Sequence, residues 1–299
     1  MPVRPSVVSA VLVIAVLGTS LSGPLVRLSE AHAIAIAIWR LTFSLAIIAI
    51  PLIARRSYRQ WRMLDRRSFA IAIGGGVMLA LHFWVWNTSV EMTTIAASVV
   101  LVNVQPLIVA VLSVVWLHEP PTRQQWIGIG IAMCGAAVVV LPDLVRSGGI
   151  SFSGRAATGD LLALLGAVAA ATYYVTGRRL RGTLDLWSYV ALVYGACLVT
   201  LLLIALAIGV HVAPFPPREY KIFALLALGP MLIGHTGMNW ALRYARAYQV
   251  NIVLLGEPIG ATMLAAFLPG IREQPTIYTL IGGALVLGGI LLADRRRQG

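Results

Sequence analysis

The sequence predicts an all-α integral membrane protein with ten transmembrane helices in two inverted five-helix repeats. The first observation behind this prediction is composition. The 299 residues are 59% hydrophobic and 11% charged, with a mean hydropathy of +0.86, which is far more apolar than soluble domains. The second is a series of apolar runs, most of them about 20 residues long, the length that crosses a bilayer. The third is a set of ordered matches between the two halves of the chain.

The apolar runs end at charged residues or at proline and glycine, and these ends define the predicted spans. The spans lie near residues 6–28, 33–54, 69–90, 94–117, 125–141, 158–177, 186–209, 221–242, 247–269 and 276–293. The connections between them are short, so no loop can house a second soluble domain.

Basic residues mark one side of the predicted membrane segment. Of the 23 Lys and Arg residues, sixteen fall on the side that holds both termini, six fall on the other side, and Arg40 alone lies within a span. Lys and Arg are enriched in cytoplasmic loops. We therefore predict a multi-pass membrane protein with both termini in the cytoplasm. The formal charge of +12 then reflects topology, and no nucleic-acid partner is expected.

Ordered matches between the halves predict a duplication. They pair Asn87 with Asn239, Pro106 with Pro258, Gly128 with Gly282, and Gly135 with Gly289. Each half has five spans, an odd number, so the second half enters the membrane from the opposite face and the repeats are inverted. The predicted repeats cover residues 1–141 and 158–299, joined by an extracytoplasmic connector at residues 142–157.

Glycines in the fifth and tenth spans recur seven residues apart on one helical face. They are Gly128 and Gly135 in the fifth span, and Gly282 and Gly289 in the tenth. Small residues allow two helix backbones to approach closely. We predict that these two spans form a scaffold and do not contact substrate.

Three motifs resemble the EamA-type drug/metabolite transporters. They are Trp39-Arg40-Leu41-Thr42-Phe43, the run from Thr93 through Pro106 to Trp116-Leu117-His118-Glu119-Pro120, and Gln125-Trp126-Ile127-Gly128. The resemblance covers nearly the whole chain and implies secondary transport. Within the superfamily, the sequence is most similar to bacterial exporters of aromatic amino acids and paraquat-like compounds, which implies a location in the bacterial inner membrane. The Trp-Arg pattern favours a structural contact of Arg40 with an ion or a carbonyl group, with substrate binding as the alternative.

Polar side chains in the third and eighth spans predict a central cavity. His82 and Trp86 lie four residues apart on one helical face, with Asn87 beside them, and His235 and Asn239 repeat this theme. Unpaired polar groups are costly in hydrocarbon, so they tend to face a bundle interior or a watery cavity. The alternative is that they form hydrogen bonds that merely join helices. The predicted substrate-binding residues are His82, Trp86, Asn87, Tyr173, His235 and Asn239.

Glu257 is the only acidic residue deep within a predicted span, and its counterpart in the first half is Gln105. A carboxyl group in this position can exchange a proton or pair with an ammonium group, which makes Glu257 the candidate for proton coupling. The alternative is a neutral, hydrogen-bonded structural acid. Pro106 and Pro258 each remove a helix hydrogen bond near the middle of a span, so we predict gating hinges there, with static bends as the alternative.

The sequence lacks the signatures of the competing functions. No HExxH, GxSxG or paired intramembrane aspartates indicate an intramembrane enzyme, and no ring of charges or carbonyl filter indicates a channel. Cys134 and Cys197 are isolated in apolar runs, which predicts neither a disulfide framework nor a metal site. We expect a monomeric carrier in the lipid bilayer, without a cofactor, that moves a small-molecule substrate by alternating access. The expected substrates are aromatic and other bulky neutral amino acids, with cationic aromatic drugs or other metabolites as the alternative.

Overall fold

The computed structural model describes residues 4–93, 95–146, 154–260 and 277–294. These residues form helices and connecting turns, without a strand, which confirms the predicted all-α class. Helices satisfy their own backbone hydrogen bonds, as a chain surrounded by lipid must. The prediction of ten spans in two inverted repeats stays a prediction.

The helices follow one another along the chain with short connections. They are α1 Pro5–Ser20, α2 Ser22–Leu28, α3 Ala33–Ala54, α4 Arg66–Met92, α5 Ile95–Val102, α6 Gln105–Leu112, α7 Arg123–Arg146, α8 Gly154–Leu180, α9 Leu186–Ile208, α10 Pro217–Leu226, α11 Thr236–Ala241, α12 Ala247–Leu254 and α13 Ile277–Asp294. A 3₁₀ helix, Ser57–Met63, follows α3, and two π-helical segments, Ser113–Leu117 and Ala227–His235, continue α6 and α10.

Seven stretches within the described ranges are long and apolar enough to cross a membrane. They are Pro5–Val26, Ala33–Ala54, Arg66–Met92, Val100–Leu117, Gly154–Leu180, Leu186–Ile208 and Pro217–Ala241. Within the predicted connector at residues 142–157, α7 continues to Arg146 and α8 begins at Gly154. Residues 147–153 of the connector, the predicted ninth span beyond residue 260 and the basic tail after residue 294 lie outside the described residues.

Aspartate caps fix where two helices begin at the end of the bundle that is rich in arginine, which we call the basic end. Asp65 accepts a hydrogen bond from the backbone N–H of Ser68 at 3.0 Å, at the start of α4. Asp185 accepts one from Ser188 at 2.8 Å, at the start of α9. Each bond satisfies a backbone donor that the first helical turn leaves free. The bonds from Ser68 also hold the pKa of the Asp65 carboxyl below its usual range.

The fourth and ninth predicted spans are interrupted near their prolines. A turn at residues 103–104 separates α5 from α6, and Pro106 lies in the first turn of α6. A second turn at residues 255–256 follows α12, and the helix then resumes with Pro258 in its second position. Proline has no N–H, and its ring clashes with the carbonyl four residues earlier. The bend expected at each proline is therefore a break in the helix.

Helices α7 and α13 pack directly against each other through glycine. A Cβ atom added to Gly128 would lie 2.6 Å from the carbonyl oxygen of Gly289, and one added to Gly135 would lie 2.6 Å from that of Gly282. No larger side chain fits at these positions, so the backbones are in contact. The order of the pairs reverses along the chain, and the two helices are therefore antiparallel.

The outward and inward faces of the bundle differ in polarity. Large apolar side chains are exposed on the outside, as at Ile50, which is 70% exposed, and Leu206, which is 80% exposed. Polar side chains are instead buried inside, including Arg40, Gln105 and Asn251. This distribution is opposite to that of a soluble protein and suits a lipid environment.

Gly135→Ala is expected to lower the thermal midpoint of the protein in detergent, measured by scanning fluorimetry. The added methyl group would overlap the carbonyl of Gly282, and overpacking typically costs about 1–3 kcal/mol. Gly130→Ala is the matched control, because it makes the same change in α7 where no atom lies within 4 Å. Equal midpoints for the two variants would contradict direct backbone contact between α7 and α13.

Candidate functional site

A cavity of about 90 Å³ lies inside the bundle, beside the two helix interruptions. It is bordered by Thr19, Ser22, Arg40, His82, Phe83, Trp86, Val102, Asn103, Gln105, Pro106, Ala170, Tyr173, Tyr174, Pro230, His235, Leu254, Glu257 and Pro258. Ligand pockets usually enclose about 300–1,000 Å³. This conformation is therefore more closed than one that holds a bulky metabolite.

Seven of the nine residues that the sequence singles out border this cavity. They are His82, Trp86, Pro106, Tyr173, His235, Glu257 and Pro258. These residues come from α4, α6, α8, the π-helical segment after α10, and the helical residues 257–260 that follow the turn after α12. The fold thus brings together positions that are as much as 176 residues apart, from His82 to Pro258.

The two predicted asparagines do not border the cavity. Asn87 donates a hydrogen bond to the carbonyl oxygen of Ala33 at 3.2 Å, which joins α4 to the start of α3. Asn239 donates to the Tyr173 hydroxyl and, at 2.8 Å, to the carbonyl oxygen of His235. These contacts are those expected of polar side chains that join helices. The structure places neither amide in contact with the cavity.

Aromatic rings form much of the cavity wall. The His82 ring stacks on Trp86, with ring centroids 6.2 Å apart and planes 9° apart. Tyr174 stacks on His235 with an interplanar angle of 12°, and Phe83 meets the same imidazole edge-on at 5.6 Å. Stacked and edge-to-face contacts are the arrangements that aromatic rings prefer. A flat ring in the cavity can extend either pattern.

Several polar atoms at the cavity have no hydrogen-bond partner among the described residues. These buried atoms are Trp86 Nε1, His235 Nδ1 and Arg40 Nε. His82 differs, because its Nδ1 donates to the carbonyl oxygen of Gly166 at 2.9 Å. A buried polar group without a partner costs about 1–3 kcal/mol. A bound molecule that supplies acceptors would recover part of that cost.

Two charged side chains, Arg40 and Glu257, face the cavity. Arg40 is only 3% exposed, and its Cζ lies 4.5 Å from the centroid of the Phe83 ring, which is a cation–π contact. Arg40 Nε has no hydrogen-bond partner in the part of the chain that the structure describes. The Glu257 side chain accepts no hydrogen bond within the described part of the chain, although its backbone oxygen accepts one from Ser20 Oγ at 3.1 Å.

The helix interruptions contribute backbone as well as side chains. Pro106 and Pro258 cannot donate to the carbonyls of Val102 and Leu254, and all four residues border the cavity. Transporter sites are commonly built from such discontinuous helices, whose freed backbone groups face the substrate. Near the two interruptions, Gln105 Nε2 donates a hydrogen bond to Asn251 Oδ1. This buried bond links α6 to α12.

A second set of contacts joins the two sequence halves at the basic end. Arg178 pairs with Glu119 at 2.7 Å and also donates to the carbonyl oxygen of Leu242 at 2.9 Å. Tyr248 donates to Gln125 Oε1 at 2.9 Å, and the hydrogen bond from Arg246 to Tyr248 raises the pKa of the Arg246 guanidinium.

A surface depression of about 800 Å³ also lies at the basic end. It is larger than the inner cavity, but its walls include the exposed charged side chain of Arg123 and no aromatic pair. The inner cavity combines burial, stacked rings and unpartnered polar atoms, and it is therefore the candidate substrate site.

Sequence reasoning found the cavity residues that interrupt an apolar run with a polar group or a proline. It did not select Arg40, Phe83 or Asn103 as cavity residues. Phe83 adjoins the predicted His82. The signal available for Phe83 was adjacency to a predicted site residue. No pattern in the sequence distinguishes an aromatic residue that lines a cavity from one that packs in the core.

Comparisons with known proteins agree with this architecture. The chain matches the EamA-like transporter family twice, over residues 6–141 and 157–293. A crystal structure of a protein with 20% sequence identity shares the fold, with a TM-score of 0.79 and coverage of 97% of both chains.

Curated relatives are similar over most of their length. An uncharacterized transporter of Archaeoglobus fulgidus is 26% identical, covering 88% of this chain and 89% of the relative. The uncharacterized transporter YyaM of Bacillus subtilis is 24% identical, covering 86% and 83%. A probable terminal-alkyne amino-acid exporter of Streptantibioticus cattleyicolor is 28% identical, covering 86% and 81%. With two family matches that span nearly the whole sequence, the chain belongs to the EamA-like transporter family of membrane proteins, and its activity is transport and not catalysis.

Proposed function

We propose that the protein is a secondary exporter of aromatic and other bulky neutral amino acids, which works as a monomer in the bacterial inner membrane by alternating access. The observation that carries the proposal is the inner cavity, where stacked aromatic rings adjoin polar atoms without partners. A relative named as a probable amino-acid exporter, 28% identical, supports the substrate class.

The proposed architecture is ten spans in two inverted repeats, at residues 1–141 and 158–299. The two family matches support the duplication. The helix breaks at Pro106 and Pro258 occur at equivalent places in the two halves. When each glycine is replaced by its equivalent in the other half, the contact of Gly128 with Gly289 becomes the contact of Gly282 with Gly135. A two-fold axis between inverted repeats requires this relation.

The composition of the cavity favours an amphipathic substrate that carries a flat ring. The rings of Trp86 and Tyr174 offer stacking surfaces, and Trp86 Nε1 and His235 Nδ1 offer hydrogen-bonding groups. A sugar suits the site less well, because its several hydroxyl groups would need more polar partners than the walls supply. The helix breaks and the small volume of the cavity together support a transport cycle in which the halves move apart to admit substrate.

The contacts at the basic end support a cycle in which this end opens and closes. By the positive-inside rule, the basic end is the cytoplasmic one. The ion pair between Arg178 and Glu119 joins the two halves there, so substrate entry from the cytoplasm requires that it separate. Pro106 and Pro258 are the proposed hinges, because the breaks they cause leave few backbone hydrogen bonds to resist bending.

Purified protein in liposomes is expected to move radiolabelled tryptophan and phenylalanine saturably. Trp86→Ala is expected to raise the half-saturating tryptophan concentration about two- to tenfold, because an aromatic contact contributes about 0.5–1.5 kcal/mol. Alanine transport should change less. Trp116→Ala is the matched control, since Trp116 is 49% exposed and lies outside the cavity.

Two outcomes would contradict this prediction. Equal losses for large and small substrates would make Trp86 a packing residue. The absence of any saturable amino-acid flux in the unmodified protein would remove amino acids as the substrate class.

Glu257→Gln is expected to abolish the acceleration of transport by a pH gradient while exchange at saturating substrate on both sides persists. Only the proton-coupled step requires a group that titrates, and an amide does not titrate. Transport with and without an imposed gradient measures the effect. Glu91→Gln is the matched control, because Glu91 is exposed at the end of α4. An unchanged response to the gradient in Glu257→Gln would remove Glu257 from proton coupling.

The proposed orientation predicts which surface cysteines react in intact cells. In a background without Cys134 and Cys197, Arg59→Cys should be protected from an impermeant thiol reagent and His211→Cys should be labelled. Both positions are exposed, at opposite ends of the bundle. Labelling after permeabilisation is the control for reactivity. The reverse pattern in intact cells would invert the topology.

A further inference from the structure

Arg40 is a buried charge that the packing of the helices does not explain. It is 3% exposed, its Nε has no hydrogen-bond partner, and no carboxylate pairs with it among the described residues. The Arg40 guanidinium lies over the face of the Phe83 ring, with Cζ 4.5 Å from the ring centroid. A cation–π contact attracts the positive charge but accepts none of the five N–H donors of a guanidinium.

An arginine whose role is only structural is expected to donate to carbonyl groups or to a carboxylate. Arg181, in the same protein, does so, because its Nε donates to the carbonyl oxygen of Asn239 at 3.0 Å and its Nη1 donates to that of Leu184. Arg40 is buried to a similar extent and makes no such bond. An unpaired charge in a membrane interior is costly and typically serves a function.

The position of Arg40 indicates what that function is. Arg40 and Glu257 both border the inner cavity, yet they form no ion pair with each other. The cavity therefore carries a positive and a negative group that are separated. This arrangement complements a molecule that has a negative and a positive group of its own.

We propose that Arg40 binds the carboxylate of the transported substrate, and that Arg40 and Glu257 together form a head-group subsite for a zwitterionic α-amino acid. The inference rests on the proposed function and deepens it. The planar guanidinium can donate two parallel hydrogen bonds to one carboxylate, which is its preferred geometry. The substrate ammonium group lies toward Glu257, and the aromatic walls hold the ring. Each of the four charges then has an opposite charge beside it.

This subsite gives the carrier a specificity that the aromatic walls alone cannot provide. Tryptamine has the ring and the ammonium group of tryptophan but lacks the carboxylate, so it leaves Arg40 unpaired. Tryptophan methyl ester removes the negative charge while keeping the rest of the molecule. A site built to bind a polar group rejects analogues that lack it far more strongly than it rejects small changes in apolar size. A permanent aromatic dication adds positive charge beside Arg40 and is rejected as well.

The first arm of the experiment uses the unmodified protein in liposomes. Competition against labelled tryptophan is measured with tryptophan, tryptamine and tryptophan methyl ester. We expect both analogues to require concentrations at least about tenfold higher than tryptophan for half-inhibition, since each lacks a charge-assisted contact. Equal competition by all three compounds would overturn the Arg40 proposal and leave amino-acid transport intact. The absence of tryptophan flux would overturn both proposals.

The second arm changes the side chain. Arg40→Gln should raise the half-saturating tryptophan concentration about tenfold to a hundredfold and bring tryptophan and tryptamine to within about threefold of each other. Arg40→Lys should retain part of the preference for tryptophan over tryptamine. Lysine keeps the positive charge but cannot donate two parallel hydrogen bonds as the planar guanidinium can. Arg243→Gln, at an exposed arginine of the basic end, is the control.

The selectivity ratio separates recognition from folding in these variants. A purely structural role predicts that Arg40→Gln lowers the thermal midpoint and weakens tryptophan and tryptamine equally, which would overturn the proposal. If that variant does not fold, Arg40→Lys and the competition series with the unmodified protein decide the question. A ratio in Arg40→Lys equal to that of the unmodified protein would show that the two-bond geometry is not used.

Discussion

Hydrocarbon offers no partner for a polar group, and the arrangement of this protein depends on that constraint. Backbone groups are paired within helices, and large apolar side chains cover the outside. Polar side chains are collected in the interior, where most of them pair with another helix, as Asn87 does with α3 and Gln105 with α12. Among the described residues, three buried polar atoms without a partner belong to side chains that border the inner cavity, namely Arg40 Nε, Trp86 Nε1 and His235 Nδ1, and others, such as Tyr189 Oη, lie elsewhere in the interior. At the cavity, a bound substrate can offset part of the cost of burying such groups.

Glycine and proline have different consequences for the helices of this structure. The glycines of α7 and α13 bring two backbones into contact and leave no room for adjustment, which makes this pair a rigid element. The prolines at residues 106 and 258 lie beside helix interruptions at the cavity and cannot donate a backbone hydrogen bond to the carbonyls four residues earlier. The structure thus combines close packing between α7 and α13 with helix interruptions beside the cavity.

The fold was largely predictable because polar residues and prolines are rare in apolar helices, and each one is therefore informative. The predicted second span at residues 33–54 coincides with α3, and Glu257 and His82 were identified as interior groups because they interrupt apolar runs. Helical spacing shows which residues share a face, but not which neighbour that face meets. Asn87 and Asn239 share a periodic pattern with cavity residues yet contact Ala33 and Tyr173.

Arg40 shows the same limit more sharply. Its position in a span indicated an unusual charge, and its motif suggested a structural contact. Its environment depends on Phe83 and Glu257, which lie 43 and 217 residues further along the chain. Local sequence cannot specify contacts between residues so far apart, because they arise only when several helices pack together.

The glycine contact between α7 and α13 has a thermodynamic consequence for the proposed transport cycle. In a pair of inverted repeats, the inward-open and outward-open states exchange the shapes of the two halves. The pair Gly128 with Gly289 becomes the pair Gly282 with Gly135 under that exchange, so this interface maps onto itself and contributes equally to the energies of both states. The ion pair of Arg178 with Glu119 does not map onto itself in this way. A substitution that strengthens the contact between α7 and α13 therefore leaves the ratio of inward-open to outward-open molecules unchanged. A substitution at the ion pair alters that ratio.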